Sequence, residues 1–131
     1  MIKDTRRNVV TMNEKEYYNL IKPYEDAMQM ILSRLDTLNH TLYESSATHL
    51  VPIHNIQSRI KSKKSIEDKL IKKEKKPSLT NAKNFLMDIA GARVICCFLN
   101  DIYNLVEILK RQTDLIVMKE RDYIAGPKPN G

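Results

Sequence analysis

The sequence predicts an α+β domain, and three observations carry that prediction. Apolar residues recur at helical spacing from Tyr17 to Leu42; residues 51–61 and the apolar run from Ile89 carry strand signals; and a second helical spacing, Ile102 to Leu109, separates that run from an alternating segment at residues 115–123. At 131 residues the chain suits one domain, able to bury about two thirds of its unfolded surface without staples.

Residues 1–12 read as a flexible lead-in, with the domain proper at 13–131. Asn13 with Glu16 marks a helix start, after which Tyr17, Leu20, Ile21, Tyr24, Met28, Ile31, Leu35, Leu38 and Leu42 form an amphipathic stripe. Pro23 predicts a break near Lys22, with the proline opening a second helix. Such a stripe is core or subunit contact. Ser45, Ser46 and Thr48 mark a loop before the first strand.

In that strand Ile56 and Ile60 share a parity, which turns them to a core and points Gln57, Arg59 and Lys61 together at the other face. Ser65 is positioned to cap a helix from Ile66, with Asp68 three residues on and Ile66 and Leu70 as its apolar edge; this helix runs to about Lys75 and ends near Pro77. Residues 78–84 read as a polar loop. The run from Ile89 is apolar on both parities, which predicts a central strand covered on both faces. Arg93 is its one charge, and Asp88 stands at its entrance. A buried cation is costly unless an anion meets it, so Arg93 faces either Asp88 internally or a ligand. Gly91 leaves room for a close approach. Asn100 caps the next helix, closed by Lys110 and Arg111. A strand over 115–123 follows, with Leu115, Val117, Lys119, Arg121 and Tyr123 on one face; the helix between two strands implies a crossover and a parallel pair. Residues 125–131 read as a turn-rich loop.

Charge is concentrated. Residues 59–76 hold nine Lys or Arg against three acids, while the other residues hold thirteen of each sign, so the entire net charge of +6 lies in that segment. It is either a solvated basic helix face or a polyanion cradle, in which a strand delivers Arg59 and Lys61 and a helix start adds backbone N–H groups and Lys69. There is no GxxxxGK[ST] loop, no dinucleotide-binding glycine fingerprint and no zinc spacing, which excludes an ordinary P-loop kinase. His40, His49 and His54 are scattered and are assigned no chemistry. Cys96 and Cys97 are neighbours expected on opposite faces as buried free thiols, in keeping with a reducing compartment. The start lacks an apolar signal core, and the longest mostly apolar stretch, 89–99, is too short to span a bilayer and carries Arg93; a cytoplasmic location without membrane contact is expected.

Three blocks together resemble the RelA/SpoT synthetase domain of the guanosine tetra- and pentaphosphate synthetases: Ser58-Arg-Ile-Lys-Ser-Lys-Lys-Ser-Ile-Glu-Asp-Lys69, Asp88-Ile-Ala-Gly-Ala-Arg-Val-Ile-Cys96 and Lys119-Glu-Arg-Asp-Tyr-Ile-Ala-Gly-Pro-Lys-Pro-Asn-Gly131. Helices directly before the first block make the chain look like a small alarmone synthetase. The resemblance implies a nucleotidyltransferase-like mixed sheet flanked by helices, and transfer of pyrophosphate from ATP to the 3′-hydroxyl of GDP or GTP with Mg²⁺ as cofactor. It implies that Arg59 and Arg93 sandwich adenine, that Lys61 and Lys69 hold the ATP phosphates, and that Asp88 holds Mg²⁺. Arg121, with Lys119 and Lys128, would face the transferring or guanosine phosphates, and Arg121 and Lys69 would act in catalysis. In the family a Tyr-Arg-Ser-Leu-His motif follows, and a later strand supplies a glutamate. Neither is in this sequence, so the expectation is an amino-terminal portion that keeps the ATP half of the site and lacks the guanosine half. Relatives imply a homo-oligomer, often a tetramer. Two other classes compete: an RNA-binding module using residues 59–76, which lacks interleaved aromatics, and an oligomerisation or regulatory fragment using the first helices.

Overall fold

The computed structural model describes residues 11–44, 50–127 and 129. Its elements are α1 (Glu14–Glu44), β1 (Ile53–Ile60), α2 (Lys63–Lys72), α3 (Leu79–Phe85), β2 (Ala90–Cys96) and α4 (Leu99–Lys110). This is the expected α+β class. Residues 1–10 of the expected lead-in, and Ser45, Ser46, Thr48 and His49, lie outside the described residues.

α1 is one helix of 31 residues with Pro23 inside it, where the sequence predicted a break. A proline in a helix interior costs about 3 kcal/mol. Its neighbours outweigh that: Leu20 and Ile21 before it are 0% and 8% exposed, Tyr24 after it packs on the same cluster, and Leu35 further on is 2% exposed in a second cluster. Asn13 and Glu16 cap the helix reciprocally, Glu16 N–H donating to Asn13 Oδ1 at 2.8 Å and Asn13 N–H to Glu16 Oε1 at 3.1 Å.

β1 and β2 pair antiparallel as the two strands of a sheet, with Arg59 opposite Gly91 and Gln57 opposite Arg93. Antiparallel pairing sets the end of β1 beside the start of β2, and Lys61 N–H donates to Ile89 O at 2.7 Å across that junction. The whole of α2 and α3 is an excursion between these two points. It is held by the first core cluster, in which Ile66, Leu70, Ala82 and Ile89 meet Met12, Leu20 and Ile21 of the α1 end. A second cluster, Leu35, Ile53 and Leu105, lies further along α1.

Several local expectations are corrected. α2 starts three residues early because Ser62, not Ser65, is its cap, in extended backbone with its side chain accepting Ser65 N–H at 3.1 Å. Residues 79–85 are helical: the polar residues that read as a loop are its cap, Ser78 accepting from Asn81 N–H, and Ala82 and Leu86 are the buried side. α4 begins at Leu99, so Asn100 lies inside it and Phe98 holds the cap position without a side-chain bond. β2 is mostly exposed, since only β1 pairs with it among the described residues; a run apolar on both parities is here not covered on both faces. Both thiols are free, but Cys97 is exposed, lying past the end of β2 with its Sγ on Val51 O at 3.1 Å.

No strand forms over 115–123, and the predicted parallel pair is absent among the described residues. Alternation gives a segment two faces, but a ladder needs a partner's backbone. This segment is tied by side chains instead: Lys110 to Glu120 at 2.6 Å and Tyr103 to Asp122 at 3.0 Å. Arg34 of α1 pairs with Asp114 just before it, through two bonds of 2.8 Å. Among the described residues, no helix is long and apolar enough to cross a membrane.

Candidate functional site

Alternation in β1 puts Gln57 and Arg59 on one face, as the sequence predicted. With Arg59 opposite Gly91 and Gln57 opposite Arg93, the two arginines stand diagonally on one face of the hairpin-like ladder, across a groove of about 480 Å³ lined by Gln57, Ser58, Arg59, Gly91, Ala92 and Arg93. Both guanidiniums are exposed, and neither makes an ion pair among the described residues. The internal Asp88–Arg93 pair does not form. Because β2 is open on this side, Arg93 is no buried cation, and its charge needs no partner within the chain.

Gly91 forms the floor between the arginines. A Cβ built there meets nothing within 4 Å. Two planar cations flanking a floor with no side chain present a slot for a flat ring, since a guanidinium stacks on an aromatic face as readily as it pairs with an anion.

Just past the end of β1, Lys61 belongs to a second cluster. Lys61 Nζ lies 3.3 Å and Lys69 Nζ 2.7 Å from the same oxygen, Oδ2 of Asp88. α2 brings Lys69 there because Ile66 and Leu70 are wholly buried against the core, which fixes the rotation of the helix. Lys69 is thus in the helix body and not at its first turn, so the backbone N–H groups expected to join it in a cradle are displaced from it. The hydrogen bond from Lys69, and after it the bond and charge of Lys61, hold the Asp88 carboxyl below the usual carboxylate range against the opposing effect of desolvation. Asp88 is therefore ionised at neutral pH, and its Oδ1 takes no bond among the described residues.

That second oxygen is the test of the expected metal. Among the described residues there is no group of three or more His, Cys, Asp or Glu side chains that could hold an ion alone. Mg²⁺, however, is commonly held by one or two carboxylates, waters and substrate phosphates. A half-exposed carboxylate with one oxygen committed to lysines and the other open fits that mode.

The remaining predicted residues are not gathered in. Lys119 and Arg121 are exposed and make no hydrogen bond or ion pair with the two clusters; Arg121 donates to Tyr123 Oη at 3.1 Å. Asp122 shapes their segment by accepting N–H bonds from Ile124 and Ala125, both at 3.0 Å. Lys128 lies outside the described residues. Sequence reading missed Tyr17, whose hydroxyl donates to Lys61 O at 2.9 Å, and Glu67, a carboxylate 8% exposed that accepts from Met12 N–H and Lys63. Tyr17 was indistinguishable from the rest of its apolar stripe, and Glu67 from the charges of a solvated helix.

Residues 58–131 match a family described as the region found in RelA / SpoT proteins. Among curated proteins, the chain is similar to GTP pyrophosphokinase YwaC of Bacillus subtilis, 48% identical over 80 residues that make up 61% of this chain and 38% of that protein. It is also similar to GTP pyrophosphokinase YjbM of Bacillus subtilis, 33% identical over 120 residues, 92% of this chain and 54% of that protein. Among solved structures it is similar to small alarmone synthetase 1 from Bacillus subtilis bound to its product pppGpp, with a TM-score of 0.73 at 32% identity, covering 89% of this chain and 59% of that one. That synthetase is also solved bound to AMPCPP, with a TM-score of 0.68 at 33% identity over 86% of this chain and 57% of that one. The chain thus spans about half the length of the curated relatives it matches.

Proposed function

Since the chain belongs to the RelA/SpoT family, we propose that it carries the ATP-holding part of a (p)ppGpp synthetase, a GTP pyrophosphokinase that transfers pyrophosphate from ATP to GDP or GTP. The observation that supports this is a pair of charge clusters at the β1–β2 ladder: a slot between Arg59 and Arg93 on the strands, and two lysines meeting at Asp88 where β1 ends and β2 begins. A slot for a flat ring and a group of ammonium cations suit the two parts of ATP, a base and a chain of phosphates.

In this reading Arg59 and Arg93 stack on the two faces of adenine, over the floor at Gly91. Lys61 and Lys69 turn from Asp88 Oδ2 to the phosphate oxygens and offset their charge. Asp88 Oδ1 would hold Mg²⁺, which when bound supplies charge neutralisation at the phosphates. The acceptor's 3′-oxygen then forms a bond to the β-phosphorus while the bond between that phosphorus and the α–β bridging oxygen breaks. AMP departs with the bridging oxygen, and the hydroxyl proton goes to a base. The arginines and lysines contribute positioning and a field set up before the charge moves, which is most of what such a transfer asks of a protein. Arg121, with Lys119 and Lys128, is assigned to the transferring or guanosine phosphates. In this reading the protein works in the cytoplasm, as a homo-oligomer.

Titration of the 131-residue chain with ATP and Mg²⁺ tests the reading. Saturable binding is expected, weakened at least tenfold or so in Arg59→Ala with Lys69→Ala, since two charge-assisted contacts are lost. Equal affinity in the double variant would overturn it. Binding to RNA with a steep salt dependence, untouched by Asp88→Asn, would favour the nucleic-acid alternative.

A further inference from the structure

Lys61 is held at three points. Its backbone N–H donates to Ile89 O at 2.7 Å, its ammonium reaches Asp88 at 3.3 Å, and its carbonyl accepts the hydroxyl of Tyr17 at 2.9 Å. The first two come from the neighbouring strand entrance. The third comes from α1, 44 positions earlier in the chain, and reaches the one junction residue between β1 and the cap of α2. We infer that Tyr17 is a positioning residue for the phosphate-binding lysine: its hydroxyl fixes the peptide of Lys61 so that the ammonium points to the Asp88 cluster. This rests on the ATP reading above and deepens it.

Three observations single out the hydroxyl. Removing it should leave α1 in place, because the start of that helix has its own fastenings: Met12 is 2% exposed, its N–H donates to Glu67 Oε2 at 3.1 Å, and the Asn13–Glu16 cap is reciprocal. The Tyr17 ring packs against the first core cluster, so the ring and the hydroxyl are separable contributions. Burial, with the charges of Glu25 and Glu14, pushes the Tyr17 phenol up, so it stays a proton donor through neutral pH. Lys61 itself has a side chain only 15% exposed, which leaves it few ways to reach a phosphate if its backbone shifts. A positioned cation acts through small displacements, and a loose support shell is the usual way such a site is lost.

The test is a thermodynamic cycle on the full 131-residue chain, read by calorimetric titration with ATP and Mg²⁺. Tyr17→Phe should weaken binding roughly three- to tenfold, the range set by the net worth of one hydrogen bond. In a Lys61→Met background the same change should have no further effect, because there is no ammonium left to aim; a residue that merely supports the fold would weaken binding equally in both. Para-aminophenylalanine at position 17, which restores a donor on the same ring, should recover affinity, and para-fluorophenylalanine, which fills the volume without a proton to give, should not. That pair carries the test if Tyr17→Phe melts without cooperativity. An unchanged affinity in Tyr17→Phe, an equal loss in both backgrounds, or no difference between the amino and fluoro rings overturns the inference while leaving the ATP reading intact. A wild-type chain that takes up no ATP overturns the ATP reading, and this inference with it.

Discussion

Gly91 separates stability from binding, and replacing it should move the two in opposite directions. Its backbone lies outside the left-handed region, and a Cβ there meets nothing within 4 Å. Adding a side chain therefore strains nothing in the folded chain and restricts the unfolded one, which stabilises by about 0.4–1 kcal/mol. A β-branched residue also suits a strand such as β2. Gly91→Val should thus melt at or slightly above the wild-type temperature. The same side chain, however, rises from the floor of the groove between Arg59 and Arg93. A ring stacked between those guanidiniums must share that space, and forcing extra methyls into a filled site costs about 1–3 kcal/mol. That is roughly a five- to 150-fold loss of affinity for ATP. Thermal melts and ATP–Mg²⁺ titration of the same samples check both halves. A clear loss of stability would refute the open floor, and an unchanged affinity in a stable Gly91→Val chain would refute the base slot.

Other expectations follow from the same geometry. Because Lys69 and Lys61 depress the Asp88 carboxyl, the folded chain holds that proton less tightly than the unfolded chain does; the stabilisation is complete above the ordinary aspartate pKa of about 3.9 and disappears as pH falls through the lower folded value. With the Asp88 side chain 45% exposed the effect is no more than about 1 kcal/mol, and urea melts between neutral and acid pH should show Asp88→Asn removing it. Mg²⁺ should strengthen ATP binding in the wild type and much less in Asp88→Asn, measured by paired titrations with and without the ion. Leu70→Ala empties a wholly buried site under α2 and should cost about 2–5 kcal/mol in urea melts. Glu67→Ala leaves Met12 N–H without its acceptor and should cost about 1–3 kcal/mol by the same measurement.

What could be read from the sequence was what is local. Gln57 and Arg59 on one side of a strand follow from alternation alone, and the structure keeps that side, whereas Lys61 lies past the end of β1; the helical stripe from Tyr17 onward holds for the same reason. The break at Pro23 failed because the decision belonged to contacts on both sides of it, with Leu20, Ile21 and Leu35 in two different clusters. Ser65 read as the cap of the basic helix, and the extended backbone at Ser62 moves the cap three residues earlier. The alternation at residues 115–123 was real, but its anchors are Tyr103, Lys110 and the Asp122 turn, which no periodicity encodes. Tyr17 and Lys61 are joined across 44 positions by a single proton, and nothing in either neighbourhood marks the pair.

The charge concentration in residues 59–76 also divides once it is seen in three dimensions. Of its cations, Lys61 and Lys69 are turned inward to one oxygen of Asp88, whereas Lys64, Lys72, Lys73, Lys75 and Lys76 are exposed. Two ammonium groups brought to one carboxylate oxygen would repel each other if it were absent, so Asp88 has a use beyond any ion: it keeps the lysines converged before a ligand arrives. In the ATP reading, a phosphate entering this site would exchange with the carboxylate for contacts already aimed, at little cost in side-chain ordering, which is the advantage of a preorganised site. Of the exposed lysines, Lys75 stands over the Phe85 ring at 4.4 Å, and together they supply a diffuse field that raises the local concentration of anions. The composition that first drew attention to this segment is therefore mostly that field, and the ATP reading rests on the few groups gathered at the antiparallel junction of β1 and β2.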